Sequence, residues 1–253
     1  MVLNCKNVTK KYGRRLPIVL SIPSLDIIGG GFFAIVGQVG AGKSTLAEIL
    51  AAESKPTTGE CVFNGINIHK KRNKYSCGHV PQDMQAALSK QGRNFPPDWT
   101  LSRLLDELVG ATPMSDGRIV DATYAKMMTR TVGLDEALGI PVAGFSVGMN
   151  KRLGIMLALW SVPDVVILDE PFTGLDPEIR ENLTSHLGFL AKSRIVVMTT
   201  DIIEDVEAIA SQVIVLKKGE MMFCGTAGEF TKETDGDMKA AYASYMDFEV
   251  TKV

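Results

Sequence analysis

At 253 residues the chain holds one large domain or two small ones, and 45% hydrophobic residues supply enough apolar surface for a sizeable core, which excludes global disorder. The 27 Lys and Arg against 29 Asp and Glu leave a net charge of −2, so no strong field gathers nucleic acid or anionic lipid and any phosphate affinity must be local. No run approaches about 18 uninterrupted apolar residues, and the first residues lack the basic start and apolar stretch of a signal peptide, which predicts a soluble, cytoplasmic chain.

In chain order, Val2 to Val8, Ile18 to Ile28 and Cys61 to Ile68 read as antiparallel strands, with Asn64-Gly65 as a turn. Among them lie the apolar run Phe32 to Val36 and a helix over Lys43 to Ala52. From Asp83 to Gly144 strand signals fade, and Leu101 to Leu108 and Tyr124 to Val132 read as helices separated by Gly and Pro, a helical insertion. Beyond it, the short apolar strands Val165 to Leu168, Ile195 to Met198 and Val213 to Leu216 alternate with helices over Lys151 to Ser161, Pro177 to Leu190 and Asp201 to Ala210. Short β-rich runs apolar on both faces, alternating with helices, predict an α/β fold around a mainly parallel sheet. The tail after Gly228 is polar and weakly periodic. Cys5, Cys61, Cys77 and Cys224 are widely spaced, form no C-x-x-C pair, and read as reduced core residues with no metal or disulfide framework.

The segment Gly37-Gln38-Val39-Gly40-Ala41-Gly42-Lys43-Ser44-Thr45 follows a strand and opens a helix, the context in which a P-loop match carries meaning. Glycines let the loop wrap closely around oxygens, the amides of Gly40 to Thr45 can point inward at the helix N-terminus, and Lys43 adds a positive charge on the β- and γ-phosphates. Ser44 is expected to ligate magnesium. Val165-Val166-Ile167-Leu168-Asp169-Glu170 supplies the second half: a buried strand delivering two carboxylates beside the loop, Asp169 to hold magnesium and Glu170 to polarise an attacking water as general base. The fold class is therefore a P-loop NTPase core with a flanking antiparallel β-subdomain and a helical insertion. The expected division is 1–82 and 145–228 for the core, 83–144 for the insertion, and 229–253 for the tail.

Past Glu170 the chain continues Pro171-Phe172-Thr173-Gly174-Leu175-Asp176-Pro177, and upstream stands Phe145-Ser146-Val147-Gly148-Met149-Asn150-Lys151-Arg152. With these motifs in this order, the sequence resembles the ATP-binding cassette family from about Leu3 to Thr226. The resemblance implies that Tyr12 stacks on adenine and that Gln82 belongs to the glutamine loop, which joins the core to the insertion and senses magnesium and water. It implies that Ser146 and Gly148 contact the γ-phosphate held by the opposite subunit of a nucleotide-sandwich dimer, and that Asp176 crosses the dimer interface. Pro177 also suits the first turn of a helix without any such role.

Two positions depart from the family. Val147 stands where glycine is usual, and a β-branched residue restricts backbone approach and disfavours positive φ. Asp201, in Thr199-Thr200-Asp201-Ile202, stands where the switch histidine is usual, and the three histidines, His69, His79 and His186, lie elsewhere. An ionised aspartate only accepts hydrogen bonds and would meet like charge, so Asp201 is expected to turn away from the phosphate or cap the following helix.

The resemblance implies an ATP- and magnesium-dependent ATPase that pairs with a second nucleotide-binding subunit, as homo- or heterodimer, and drives a separate polytopic membrane permease. It would sit peripherally on the inner face of the cell membrane. Asp98 to Arg103 and Glu204 to Glu207 resemble cassettes of exporters, and Asn94-Phe95-Pro96-Pro97 either lines a permease groove or is an exposed loop. A ribosome- or DNA-acting cassette fits poorly, because 253 residues hold neither two cassettes nor a long coiled coil and the charge is near neutral. A regulatory cassette that binds ATP but hydrolyses it poorly is the alternative that Val147 and Asp201 suggest.

Overall fold

Apolar runs bounded by Gly, Pro or charge become strands, and their spatial order decides which loops meet. In the computed structural model, which describes residues 1–83, 96 and 98–247, ten strands form one sheet. They are β1 (Val2–Lys10), β2 (Leu20–Ile28), β3 (Gly31–Val36), β4 (Thr58–Phe63), β5 (Ile66–Asn67), β6 (Cys77–Val80), β7 (Val165–Asp169), β8 (Ile195–Thr200), β9 (Gln212–Lys217) and β10 (Glu220–Thr226). Across the sheet the order is β5-β4-β1-β2-β10-β9-β3-β8-β7-β6. The half from β9 to β6 is parallel, and the half from β5 to β2 is antiparallel. Asn64 and Gly65, at φ 46° and 82°, make the tight turn between β4 and β5 that an Asn-Gly pair predicts.

Helix α1 (Lys43–Leu50) lies on one face of the parallel half and α4 (Val147–Leu159) with α5 (Pro177–Ala191) on the other. Along β7 and β8 the side chains alternate between these two cores: Val165, Ile167, Ile195 and Val197 face α1, while Val166, Leu168, Val196 and Met198 face the opposite side. Burial on both faces explains why these runs are uniformly apolar. Between β6 and β7 lie α2 (Leu101–Leu108), capped by Thr100, and α3 (Ala122–Thr131), capped by Asp121, whose carboxylate accepts from the Tyr124 amide at 2.8 Å. Asn94, Phe95 and Pro97 lie outside the described residues.

The chain differs from the sequence-based reading in three places. Helix α4 starts at Val147, four residues ahead of the expected Lys151, because Ser146 caps it. Helix α6 is only Ile203–Glu207, within the longer helix expected over Asp201 to Ala210. The stretch read as a weakly periodic tail contains α7 (Ala227–Phe230) and α8 (Met238–Asp247). Met238, Ala241, Tyr242, Tyr245 and Met246 of α8 fall at helical spacing and pack with Phe230 against β9 and β10.

The cysteine reading is also corrected. Cys5 and Cys61 are direct partners in the β1–β4 register, fully buried, with Cα atoms 4.2 Å apart, and they form a disulfide. Cys77 and Cys224 are free thiols, and Cys224 is exposed on β10 instead of in a core. Among the described residues no helix is long and apolar enough to cross a membrane.

Candidate functional site

Four parallel strands deliver their carboxyl ends side by side, the place where open α/β sheets collect ligands. Strand β3 leads into the Gly37 loop, β8 ends at Thr200, β7 ends at Asp169, and β6 leads to Gln82. Motifs far apart in the chain thus share one edge because β3, β8, β7 and β6 are neighbours in that order.

The loop itself is shaped by glycine. Gly40 and Gly42 have φ 80° and 99°, and a Cβ at Gly37 would stand 2.4 Å from the Leu216 carbonyl oxygen, so a side chain there would push the loop off β9. Gly42 precedes α1 with no side-chain cap, so the first-turn amides of Lys43, Ser44 and Thr45 have no intrahelical acceptor. The Ala41 amide is used internally, donating to Gln38 O at 3.0 Å. Lys43 is 5% exposed, and its ammonium donates to Gly37 O at 2.7 Å and Gln38 O at 3.3 Å, which suspends the charge over the loop. Tyr12 is 59% exposed, and its hydroxyl hydrogen-bonds Thr45 Oγ1 at 3.1 Å, so a flat aromatic face stands at the rim of the loop.

The carboxylate half is held from three sides. Asp169, 3% exposed, accepts a hydrogen bond from the Thr199 hydroxyl, its register partner on β8. Glu170 sits at φ 48°, a left-handed conformation that non-glycine residues rarely adopt. Its amide donates to Thr199 Oγ1 at 3.1 Å and Thr199 O at 3.2 Å, and its Oε2 accepts from Gln82 Nε2 at 3.0 Å. Gln82 therefore keeps its amide oxygen available. Ser44 hydroxyl, Asp169 carboxylate and Gln82 amide oxygen form a hard oxygen donor set, which fits magnesium shared with phosphates. It is not an all-protein cage: among the described residues no group of three or more His, Cys, Asp or Glu converges as a metal site.

The model of the ABC transporter family matches residues 20–173 of the chain. The chain belongs to the ABC transporter family. Its similarity to curated proteins is spread over nearly its whole length. It is 30% identical to the energy-coupling factor transporter ATP-binding protein EcfA2 of Clostridium perfringens, covering 93% of this chain and 83% of that protein. It is 29% identical to the lantibiotic transport ATP-binding protein SrtF of Streptococcus pyogenes, covering 93% and 92%. It is also 29% identical to the Nod factor export ATP-binding protein I of Rhizobium meliloti, covering 87% of this chain but only 62% of that protein. Among solved structures, a dimeric ATP-binding cassette in a post-hydrolysis state with ADP and Pi matches with TM-score 0.69 at 25% identity, covering 88% of this chain and 98% of that one. The ATP-binding subunit of an ABC transporter matches with TM-score 0.78 at 22% identity over 98% and 100%, a likeness of fold. The domain is an ABC-type ATPase cassette with the P-loop NTPase fold.

Within the cassette, Ser146, Gly148 and Asp176 stand apart from the P-loop cluster and make no hydrogen bond to it among the described residues. Ser146 Oγ accepts from the Met149 amide at 3.2 Å at the start of α4, and Asp176 is the exposed N-cap position of α5, ahead of Pro177. Val147 is 73% exposed in the first helical position, and it is not among the residues with positive φ. The anticipated backbone conflict at Val147 therefore does not arise within this chain, and only its methyl groups distinguish it from glycine.

The capping expectation for Asp201 is corrected. Ile202 occupies the N-cap position of α6 without a side-chain bond, and the hydroxyl that holds this turn is Thr200, which accepts from the Ile202 amide at 3.0 Å and bonds Asp205 Oδ2 at 3.3 Å. Asp201 is exposed, and its negative charge adds to burial in raising the pKa of Tyr242 on α8. Two residues of the cluster escaped sequence reasoning. Thr199 bonds both carboxylate residues from the neighbouring strand, and a threonine at the end of an apolar strand beside an Asp-Glu strand end is the available signal. Lys151 donates from α4 to Glu170 O at 2.8 Å and Thr173 O at 2.7 Å.

Proposed function

We propose that this chain is the ATP-binding and hydrolysing subunit of an ABC transporter, which pairs with a second nucleotide-binding subunit and powers a separate polytopic permease from the inner face of the membrane. The observation that carries the reading is the Gln82 to Glu170 hydrogen bond of 3.0 Å beside the P-loop strand, because it joins a candidate general base to a candidate sensor in one cluster. The P-loop amides and Lys43 hold the β- and γ-phosphates, and Tyr12 stacks on adenine. Ser44, Asp169 and Gln82 hold magnesium, which when bound neutralises charge on the phosphate oxygens. Glu170 accepts the proton of the attacking water as its oxygen bonds to the γ-phosphorus and the bond to the β–γ bridging oxygen breaks, leaving ADP and Pi. Ser146, Gly148 and Asp176 point outward and serve the site of the second subunit.

Export is the direction we favour, supported by the Nod factor export relative and by the exporter-like segments Asp98 to Arg103 and Glu204 to Glu207. A second reading rests on Asp201 and Val147: a cassette that binds ATP, hydrolyses it slowly and pairs with a more active one. Both readings need nucleotide at the Gly37 to Thr45 loop. Lys43→Ala removes the cation of that loop and is predicted to lower affinity for magnesium-ATP on the order of 10- to 100-fold, measured by isothermal titration calorimetry. Unchanged affinity contradicts the assignment.

A further inference from the structure

We propose that Lys151 is a positioning residue whose ammonium ties the start of α4 to the backbone that carries Glu170, so that the part of the cassette offered to its partner and the part that hydrolyses ATP move as one. The inference rests on the reading of Glu170 as general base. Lys151 follows Ser146 by about 1.4 helical turns and reaches across to the segment after β7. There it donates to Glu170 O at 2.8 Å and to Thr173 O at 2.7 Å, closing a brace around the turn that leads on to Gly174 and Asp176. Arg152, the next residue, donates to Gly133 O at 2.7 Å, just past the end of α3. Adjacent side chains thus fasten the same helix to the ATPase core on one side and to the helical insertion on the other.

The brace acts at a residue that needs one. Glu170 holds a left-handed backbone at φ 48°, a conformation that persists where the surroundings over-determine it. Thr199 fixes its amide, Gln82 fixes its carboxylate, and Lys151 fixes its carbonyl, the group whose direction sets the backbone on the far side. The lysine is half-buried, and burial pulls its pKa down while the charges of Glu170 and Asp169 push it up. A partly desolvated ammonium is tolerated because acceptors surround it. An apolar replacement leaves two carbonyls without their donor and frees Glu170 to swing from the water it must deprotonate.

The test compares the full chain carrying Lys151→Met, Lys151→Arg or Glu170→Gln with the parent, by steady-state ATPase and by equilibrium binding of a fluorescent ATP analogue, with thermal melting as a check on folding. Lys151→Met is expected to lower kcat by roughly 10- to 100-fold while KM and analogue affinity stay within about twofold, and Lys151→Arg, which keeps the donors, to recover most of kcat. A Lys151→Met enzyme with parental kcat overturns the proposal. So does an equal loss in both variants at parental melting temperature. If Lys151→Met does not fold, Lys151→Gln takes its place, with lowered kcat at unchanged KM supporting the brace and unchanged kcat refuting it. Glu170→Gln separates the two claims: near-parental turnover there removes the general-base reading, whereas an inactive Glu170→Gln beside a fully active Lys151→Met removes only the brace.

Discussion

Asp201 sits one residue beyond β8, between two threonines' worth of polar strand end and the short helix α6, and it is exposed and caps nothing. Replacing it should therefore leave stability within about 0.5 kcal/mol, and an effect on hydrolysis would come through its charge. Asp201→His removes a like charge and adds a proton donor, so hydrolysis at saturating ATP is predicted to rise by about three- to tenfold, with Asp201→Ala in between. Steady-state ATPase of the three proteins decides it, and if histidine and alanine both slow the reaction, Asp201 contributes positively and its reading as a lost switch is wrong. At this scale the P-loop was fully legible in the sequence because its parts are contiguous. Thr199 and Lys151 were not, because what they hold lies across the sheet, on Asp169 and on the Glu170 carbonyl. Register and helix placement create those contacts, and neither is visible in a linear string.

Among the elements, the parallel strands were the most legible, since burial on both faces forces uniform apolarity. Helix α4 starts earlier than its apolar pattern suggests because Ser146, which the family resemblance assigns to phosphate contact, is also the cap that begins the helix. Helix α8 was missed because the stretch after Gly228 is polar as a whole, although the five residues that pack inward, Met238, Ala241, Tyr242, Tyr245 and Met246, fall at helical spacing. It is anchored by Lys217, which donates to Met246 O at 2.5 Å, and by the ring contacts of Tyr245 with Phe223 and Phe230, both at 5.6 Å. The cysteines were misread because pairing depends on β1–β4 register, which no spacing reveals. The Cys5–Cys61 bond closes a loop of 56 residues in sequence separation, and chain entropy alone gives about 4 kcal/mol of stabilisation. Denaturant unfolding with and without reductant should show a lower midpoint on reduction, and Cys5→Ala/Cys61→Ala should no longer respond. Identical midpoints in the parent protein contradict this.

For the molecule as a whole, strand order does what composition could not: it carries the ends of β3, β8, β7 and β6 to one edge and leaves Ser146 and Asp176 facing outward. Stability should follow the half-buried histidines. His79 and His186 have pKa values lowered chiefly by burial, with Glu53 and Asp169 holding His79 partly up. The folded state thus resists protonation that the unfolded chain accepts below about 6.5, so stability is complete above that value and declines as pH falls toward the lowered folded-state values. Each histidine can contribute at most about 1.4 kcal/mol per pH unit, and urea midpoints should drop between pH 7.5 and 5.5, less steeply in His186→Gln. A flat profile contradicts this. The central claim, that Glu170 is the general base of an ATP-driven cassette pair, is tested most directly by Glu170→Gln with magnesium-ATP in size-exclusion chromatography alongside an ATPase assay. The account predicts that the variant binds ATP, loses about 10²- to 10⁴-fold of its turnover and accumulates as an ATP-dependent dimer, whereas near-parental turnover with no dimer would contradict it.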